Sequence, residues 1–289
     1  IESLRTVMLI DYHVHTPYCG HAHGKIVHYI DSAIAAGINE IGFSDHYGRY
    51  YLTRSQKARY WDWGMSERDV ARYVAELSDL QDVYKDRITI RIGLEIDYIE
   101  GGEELLAPLL SNYPLDFYLC SIHCMPRFGW NHLSNYSTRT LDPYSIYKEY
   151  FRLARASLTS DVFHSIAHLD FVWRYIPWPS EHHTELLDDI ALTIQTAAQA
   201  DRCIEINANG FIVSQSSLTA TDEDPFSFMI DQIAQHNTPV TIGSDAHEPN
   251  KVAKAFPELI DYLLSKNITE VYGFTEGRKI PYTLTPVSY

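Results

Sequence analysis

Cysteine is scarce. Cys19, Cys120, Cys124 and Cys203 are the four in 289 residues. They are too few and too scattered to form a disulfide framework, and a reducing cytoplasm suits them best. No run of about 18 apolar residues is present to span a bilayer. Ile1 to Arg5 lack the basic start and long apolar core of a signal peptide. No Pro/Gly/Ser-rich stretch marks a linker, and no repeat or low-complexity segment interrupts the chain, so a single domain over residues 1–289 is expected. Positive charge is short too: 23 Lys and Arg stand against 38 Asp and Glu, a formal net charge of −15. A chain this acidic has no long-range field to draw a nucleic-acid backbone. Metal ions gathered in one cleft would reverse that sign locally. The partner to expect is a small molecule rather than a membrane or nucleic acid.

The chain has 45% hydrophobic residues, enough for a sizeable core. Short apolar runs alternate with longer helical patterns, as parallel βαβ units do. The strands read as Val7 to Ile10, Ile41 to His46, Ile88 to Tyr98, Asp116 to His123, Val162 to Asp170, Cys203 to Gly210 and Pro239 to Ile242, with Glu270 to Phe274 as one more short strand. Helical spacing fills the gaps: Ile26 to Gly37, Ser66 to Tyr84, Glu103 to Leu110, Tyr144 to Leu158, Thr184 to Ala200, Phe226 to Gln235 and Lys251 to Ser265. The expected fold is an α/β class, distorted (β/α)7 barrel of TIM type, one unit short of eight. Between Gly48 and Met65 lies an aromatic, irregular stretch, long for a loop. It reads equally as a lid over a site or as a surface cover packed by its own rings.

What the strand ends carry is more specific. Barrels of this kind gather the C-terminal ends of their strands on one face, where active sites sit. Those ends hold His13 and His15, His46, Glu95, His123, His168, and Asp245 with His247, while His21 follows in the first loop. Seven of the 14 histidines therefore fall where random placement would not concentrate them. His13 and His15, two apart on a strand, share a face. Neutral imidazole is a common metal ligand, and nine nitrogen and oxygen ligands exceed what one ion uses. With a bridging carboxylate they suffice for three divalent ions with open positions. The set suits zinc, iron(II) or manganese rather than a thiolate site. Cys19 reads as small packing beside His21. Asn207 and Asn209, at the sixth strand's end, suit hydrogen bonding to substrate or to water on an ion. Asp97 and Asp170 lie two residues beyond ligands and share their face, as orienting groups or as solvated carboxylates.

The stretches Asp11-Tyr12-His13-Val14-His15, Ser44-Asp45-His46, Gly93-Leu94-Glu95, Ser121-Ile122-His123, Ala167-His168-Leu169-Asp170 and Ser244-Asp245-Ala246-His247 resemble, in order, the motifs of the polymerase and histidinol phosphatase (PHP) superfamily. The resemblance covers about residues 8 to 260, and is greatest to its monofunctional histidinol-phosphate phosphatases. It implies a trinuclear centre: one ion on His13, His15, Glu95 and Asp245, a second on Glu95, His123 and His168, a third on His21, His46 and His247. It implies hydrolysis of a phosphate monoester, with L-histidinol phosphate the expected substrate in histidine biosynthesis. A metal-bridging hydroxide attacks phosphorus, and Glu95, Asp245 and His247 serve as the catalytic ligands. A nucleotide phosphatase or exonuclease of the same superfamily is the alternative.

One departure bears on substrate binding. Relatives often carry a basic residue shortly after the sixth strand's Asn-x-x-Gly, whereas here Phe211, Ile212, Val213 and Ser214 follow Gly210. Arg127, just after the fourth strand, and Arg174, four residues after Asp170, are the candidates to bind the phosphate instead. Asn207 and Asp97 complete the expected substrate contacts. Asp97 or Asp170 would hold an ammonium, and the aromatic stretch Tyr47 to Trp63 would cover an imidazole.

Overall fold

Parallel strands covered on both faces must be apolar throughout, because helices lie on one side and the barrel core on the other. The strands obey this: β1 (Ile10–Val14), β2 (Glu40–Phe43), β4 (Phe117–Ser121), β6 (Cys203–Asn207) and β7 (Val240–Gly243) are buried at every position. With β3 (Thr89–Asp97) and the two-residue β5 (Ser165–Ile166), they form one seven-stranded parallel sheet in the order β1 to β7. A single parallel bridge, Val14 to Ala246, brings its two edges together. The expected (β/α)7 barrel is thus present and nearly closed. The computed structural model describes residues 8–59, 64–113, 115–129, 132–137, 139–216 and 224–286. Ile1 to Arg5, Val7, and Tyr60 to Trp63 of the expected lid lie outside them.

The helices follow from apolar spacing. In α1 (Ile26–Ala35) the buried residues are Ile26, Tyr29, Ile30 and Ala33, and Gly37 then takes a left-handed φ of +77° that stops the helix. After the short α2 (Arg54–Arg59), α3 (Glu67–Tyr84) buries Val70, Tyr73 and Leu77. Its N-cap, Ser66, spends its hydroxyl on Asp69 at 2.7 Å rather than on a backbone N–H. Then come α4 (Ala107–Asn112), α5 (Pro143–Leu158), α6 (Phe171–Tyr175), α7 (His183–Gln199), α8 (Ala208–Ser216), α9 (Pro225–His236) and α10 (Phe256–Ser265). None of the described helices is long and apolar enough to cross a membrane.

Several boundaries differ from the sequence reading. β1 starts at Ile10, so His13 lies inside the strand. The fifth strand shrinks to two residues because α6 begins at Phe171. The sixth stops at Asn207 because α8 starts at once. The short strand expected at Glu270 to Phe274 is β8 (Glu270–Thr275), but it leaves the barrel sheet and pairs antiparallel with β9 (Arg278–Thr283).

That hairpin closes the N-terminal end of the barrel. Phe274 stacks on Phe117 with centroids 5.7 Å apart, and Tyr12 meets both rings edge-on. Gly42 and Gly93 make room: a Cβ on either would come within 2.9 Å of the Phe117 ring. The Tyr12 hydroxyl donates to Glu40 at 2.5 Å and accepts from the Phe274 N–H at 2.7 Å. Tyr282 also donates to Glu40, at 3.2 Å, and Arg91 Nε does so at 3.0 Å.

Candidate metal centre

At the opposite end the nine predicted side chains come together. Glu95 is the hub. Its Oε2 lies 3.2 Å from His13 Nε2, 3.5 Å from His15 Nε2 and 2.8 Å from His46 Nδ1. Its Oε1 lies 2.9 Å from His168 Nε2 and 3.4 Å from His123 Nε2. Asp245 Oδ1 approaches His15 at 3.3 Å and His13 at 3.6 Å. His21 and His247 face each other, Nε2 to Nε2, at 3.1 Å. The rings of His15 and His247 stack with centroids 4.0 Å apart, and those of His21 and His46 with centroids 5.1 Å apart.

The longer of these distances fit coordination, while His46 and His168 lie at hydrogen-bond distance from Glu95. Around zinc with bonds of about 2.0–2.1 Å, neighbouring ligand atoms of a tetrahedron stand roughly 3.3 Å apart. Buried His15 makes no hydrogen bond through either ring nitrogen, although its Nε2 sits between two carboxylates. An orphaned buried imidazole is costly unless a cation takes its lone pair. The sets His13–His15–Asp245, His13–Glu95–His168 and His15–His46–His247 each have ligand atoms converging within 4.8 Å. The third expected group is less separate than the resemblance implied, since His46 leans onto Glu95.

Charge is arranged to match. Burial alone would raise Glu95, but His46, His13 and His123 hold its pKa well below the ordinary carboxylate value. Burial would likewise raise Asp245, and His13 and His15 hold it well below the ordinary value. His15 is pushed well down, by burial and then by its neighbours His247 and His46, which leaves it a neutral donor. The backbone is strained at two of these residues, with φ of +23° at His168 and +55° at Asp245. Such conformations cost on the order of 1–3 kcal/mol each and persist where the surroundings hold them. At His168 the holder is Glu205, whose Oε2 accepts its N–H at 2.7 Å.

A further ring of groups orients the nine. Glu205 Oε1 stands 2.8 Å from His13 Nδ1, and Asp97 Oδ1 stands 2.9 Å from His123 Nδ1. Asp45 accepts from the Thr16 N–H at 2.7 Å and its hydroxyl at 2.5 Å, fixing the first loop. Cys19 is buried, and burial pushes its thiol up to about 12. It accepts from the Ala22 N–H at 3.3 Å, with its sulfur within 4.8 Å of the ligand atoms of His21 and His247.

A cavity of about 450 Å³ opens over this cluster. His21, His46, His123, His168, Asp245 and His247 bound it on one side. His132, Phe171, Arg174, Tyr175 and Asn209 bound it elsewhere.

A family model described as the PHP domain matches residues 11–209, more than half of the chain. The chain belongs to the PHP family. It is 27% identical over 273 residues to the probable histidinol-phosphatase of Deinococcus radiodurans, covering 92% of this chain and 95% of that relative. It is 23% identical over 269 residues to the histidinol-phosphatase of Bacillus subtilis, covering 87% and 98%. The crystal structure of histidinol phosphate phosphatase from Lactococcus lactis subsp. lactis, complexed with zinc, L-histidinol and phosphate, superposes with a TM-score of 0.75 at 21% identity. It covers 95% of this chain and 99% of that one. The PHP barrel is therefore the common fold.

Within this PHP barrel, the four expected substrate contacts separate. Arg174 borders the cavity, anchored through Nε to Asp170 at 2.6 Å and through Nη2 to Asn207 at 2.9 Å. Gly210 permits this anchorage, because a Cβ there would lie 2.2 Å from Asp170 Oδ2. Asn207 is buried beneath Arg174. Asp97 is buried behind His123, and Asp170 is buried under Arg174, so neither carboxylate is placed to take an ammonium from the cavity. Arg127 is not brought to the cavity: its side chain is 63% exposed and pairs with Glu149 at 3.5 Å. Its closeness to His123 in sequence is undone by the 3-10 turn Pro126–Phe128, which carries it outward.

Of the aromatic stretch Tyr47 to Trp63, the part from Tyr60 to Trp63 lies outside the described residues. Tyr50 stacks on buried Tyr47 and donates to the Asp97 carbonyl at 2.8 Å, and neither ring lines the cavity. Among the described residues, the aromatic boundary comes from α6 and from His132. His132 lies at no strand end, so the strand-end pattern does not single it out.

Proposed function

We propose that the chain acts as a single-barrel, metal-dependent phosphomonoesterase, and that its substrate is L-histidinol phosphate, released as L-histidinol and phosphate. The observation that carries this reading is Glu95, one buried carboxylate whose two oxygens face two separate histidine groups, with Arg174 bordering the same cavity. The named relatives support the choice of substrate, as do the zinc, L-histidinol and phosphate in the Lactococcus structure. Under this reading His13, His15, Glu95 and Asp245 hold one ion, Glu95, His123 and His168 a second, and His21, His46 and His247 a third. Zinc, iron(II) and manganese all suit those donors. When bound, the ions supply Lewis acidity toward the phosphoryl oxygens and lower the pKa of water.

The chain's own residues prepare the site. Glu205 takes the Nδ1–H of His13, which leaves the Nε2 lone pair for an ion held beside Glu95 and Asp245. Asp97 does the same for His123. Glu95, Asp245 and His247 are the catalytic ligands in this scheme. Arg174 stays charged: burial would lower its pKa, but Asp170 and Asp245 hold it above its ordinary value. Asp170 and Asn207 fix the guanidinium, so a phosphate dianion entering the cavity meets a preset cation. The activity fits a reducing cytoplasm, since all four cysteines are free and buried.

Phosphate release from a panel of monoesters tests this reading. kcat/KM for histidinol phosphate is expected to exceed that for AMP or p-nitrophenyl phosphate by at least about 100-fold, roughly 2.7 kcal/mol of transition-state preference. Similar values for all three would show a generic phosphatase. A preference for AMP would show a nucleotide phosphatase.

A further inference from the structure

The cavity is two-sided. Glu95, its histidines and Arg174 form a polar part suited to a phosphate. An aromatic boundary continues outward from there. Phe171 packs on His168 and His123, with centroids 4.8 and 4.9 Å away. His132 lies nearly parallel over His123, with centroids 5.6 Å apart and planes 20° from parallel. It meets Phe171 and Tyr175 edge-on, at 5.4 and 5.8 Å. Tyr175, 46% exposed, sits next in sequence to Arg174 on α6. A five-residue helix therefore presents a phosphate-binding cation and two aromatic rings to one cavity.

The His132 ring is held in position. Its Nδ1 accepts from the Ser134 N–H at 3.1 Å and lies 2.6 Å from the Ser134 hydroxyl. The next residue, Leu133, donates its N–H to the His123 carbonyl at 2.8 Å, tying this loop to the end of β4. A ring fixed before binding gives contact area at little entropic cost. Neither strand-end placement nor the ion scheme gives His132 a task.

We propose that His132 and Tyr175, which touch edge-on and are backed by Phe171, form the aromatic wall of a slot that reads the flat ring of the leaving alcohol, making His132 a specificity-determining residue. The proposal rests on the reading of histidinol phosphate as substrate. Rings in offset or edge-to-face contact hold one another beyond the area they bury, each such pair being worth about two- to tenfold in affinity. A substrate with phosphate at one end and an imidazole a few bonds away spans the cavity from Arg174 to the slot. A phosphate ester whose alcohol has no ring leaves the slot unused.

The test compares histidinol phosphate with 2-aminopropyl phosphate, which keeps the phosphate and the ammonium and lacks the ring. The wild-type preference for histidinol phosphate in kcat/KM is expected to fall about tenfold in His132→Ala, chiefly through a higher KM for histidinol phosphate. Tyr175→Leu, at an exposed position where folding is not at risk, should lower it about threefold. His132→Phe should restore most of the preference, which a merely structural role for the histidine would not produce. If the wild type prefers histidinol phosphate and both His132→Ala and Tyr175→Leu keep the full ratio, the slot is wrong and the proposed function stands. A wild type with no preference for histidinol phosphate overturns the substrate reading and the slot together.

Discussion

Two glutamates, each 1% exposed, lie at opposite ends of this barrel. Glu40 has every partner a buried carboxylate needs: two tyrosine hydroxyls and the Arg91 guanidinium, all within 3.2 Å. Glu95 is surrounded by imidazole nitrogens at distances suited to sharing a cation, and one of those rings, His15, makes no hydrogen bond. The same side chain at the same depth thus serves two purposes. Where the donors carry their own protons the network is complete and holds the fold. Where the donors are imidazoles the network is left incomplete, and chemistry becomes available.

The comparison is broken most forcefully at the mouth. Glu95→Gln removes the one charge shared by two histidine groups and should lower kcat by about 1,000-fold, with metal content falling by elemental analysis. The urea midpoint of metal-free protein should hardly move, because any difference with ions present is the contribution of the ions themselves. A kcat within tenfold of the wild type would mean that Glu95 is not shared. At the other end Glu40→Leu takes the buried carboxylate away from Arg91 and two hydroxyls, at a cost of about 3 kcal/mol. Urea unfolding should show that loss, while kcat of the folded enzyme stays within about twofold by the same transition-state arithmetic.

Asp97→Asn sharpens the contrast between a ligand and the group behind it. It should weaken metal retention or activity by about 10- to 100-fold, because His123 keeps its place but loses the carboxylate that fixes its tautomer. An effect equal to that of Glu95→Gln would mean Asp97 is itself a ligand. The smallest effect is alkaline. Burial, then the charge of Glu40, pushes the Tyr282 phenol up to about 12 from an ordinary 10. The folded chain keeps that proton where the unfolded chain loses it. The stability this phenol contributes is therefore full below pH 10 and declines as pH rises from 10 to 12. Glu95→Gln should show the same alkaline decline, read by denaturant midpoint against pH, and Glu40→Leu a shallower one.

Legibility followed the same division. The mouth could be read because its residues lie in or just beyond the C-terminal parts of the strands, where His13 and Glu95 interrupt an apolar run and His46 and Asp245 follow one. Residues whose placement depends on loop packing could not. Arg127 looked near the site because it follows His123 by four positions, yet a single turn points it outward. His132 looked incidental because nothing local says it will lie over His123. Helix α8 hid behind Asn207-Ala208-Asn209-Gly210, which reads as the tail of the sixth strand and has no helical spacing. In the structure that glycine is there to let Asp170 reach Arg174. The hairpin partner β9 contains Pro281 and is half exposed, so it carries no strand-like apolar alternation.

The edge where β1 meets β7 has a mechanical meaning. Every other neighbouring pair of strands in the barrel shares a ladder, but here one bridge and the Asp11 carboxylate, accepting from the Ser244 and Ala253 N–H groups, make the join. His13 and His15 stand on one side of it, Asp245 and His247 on the other. An ion gripped by both sides would act as a rivet across the one join in the hoop that no ladder closes. Loading the centre and tightening the barrel are then a single event, and the compliance of the whole ring is set where its chemistry is done.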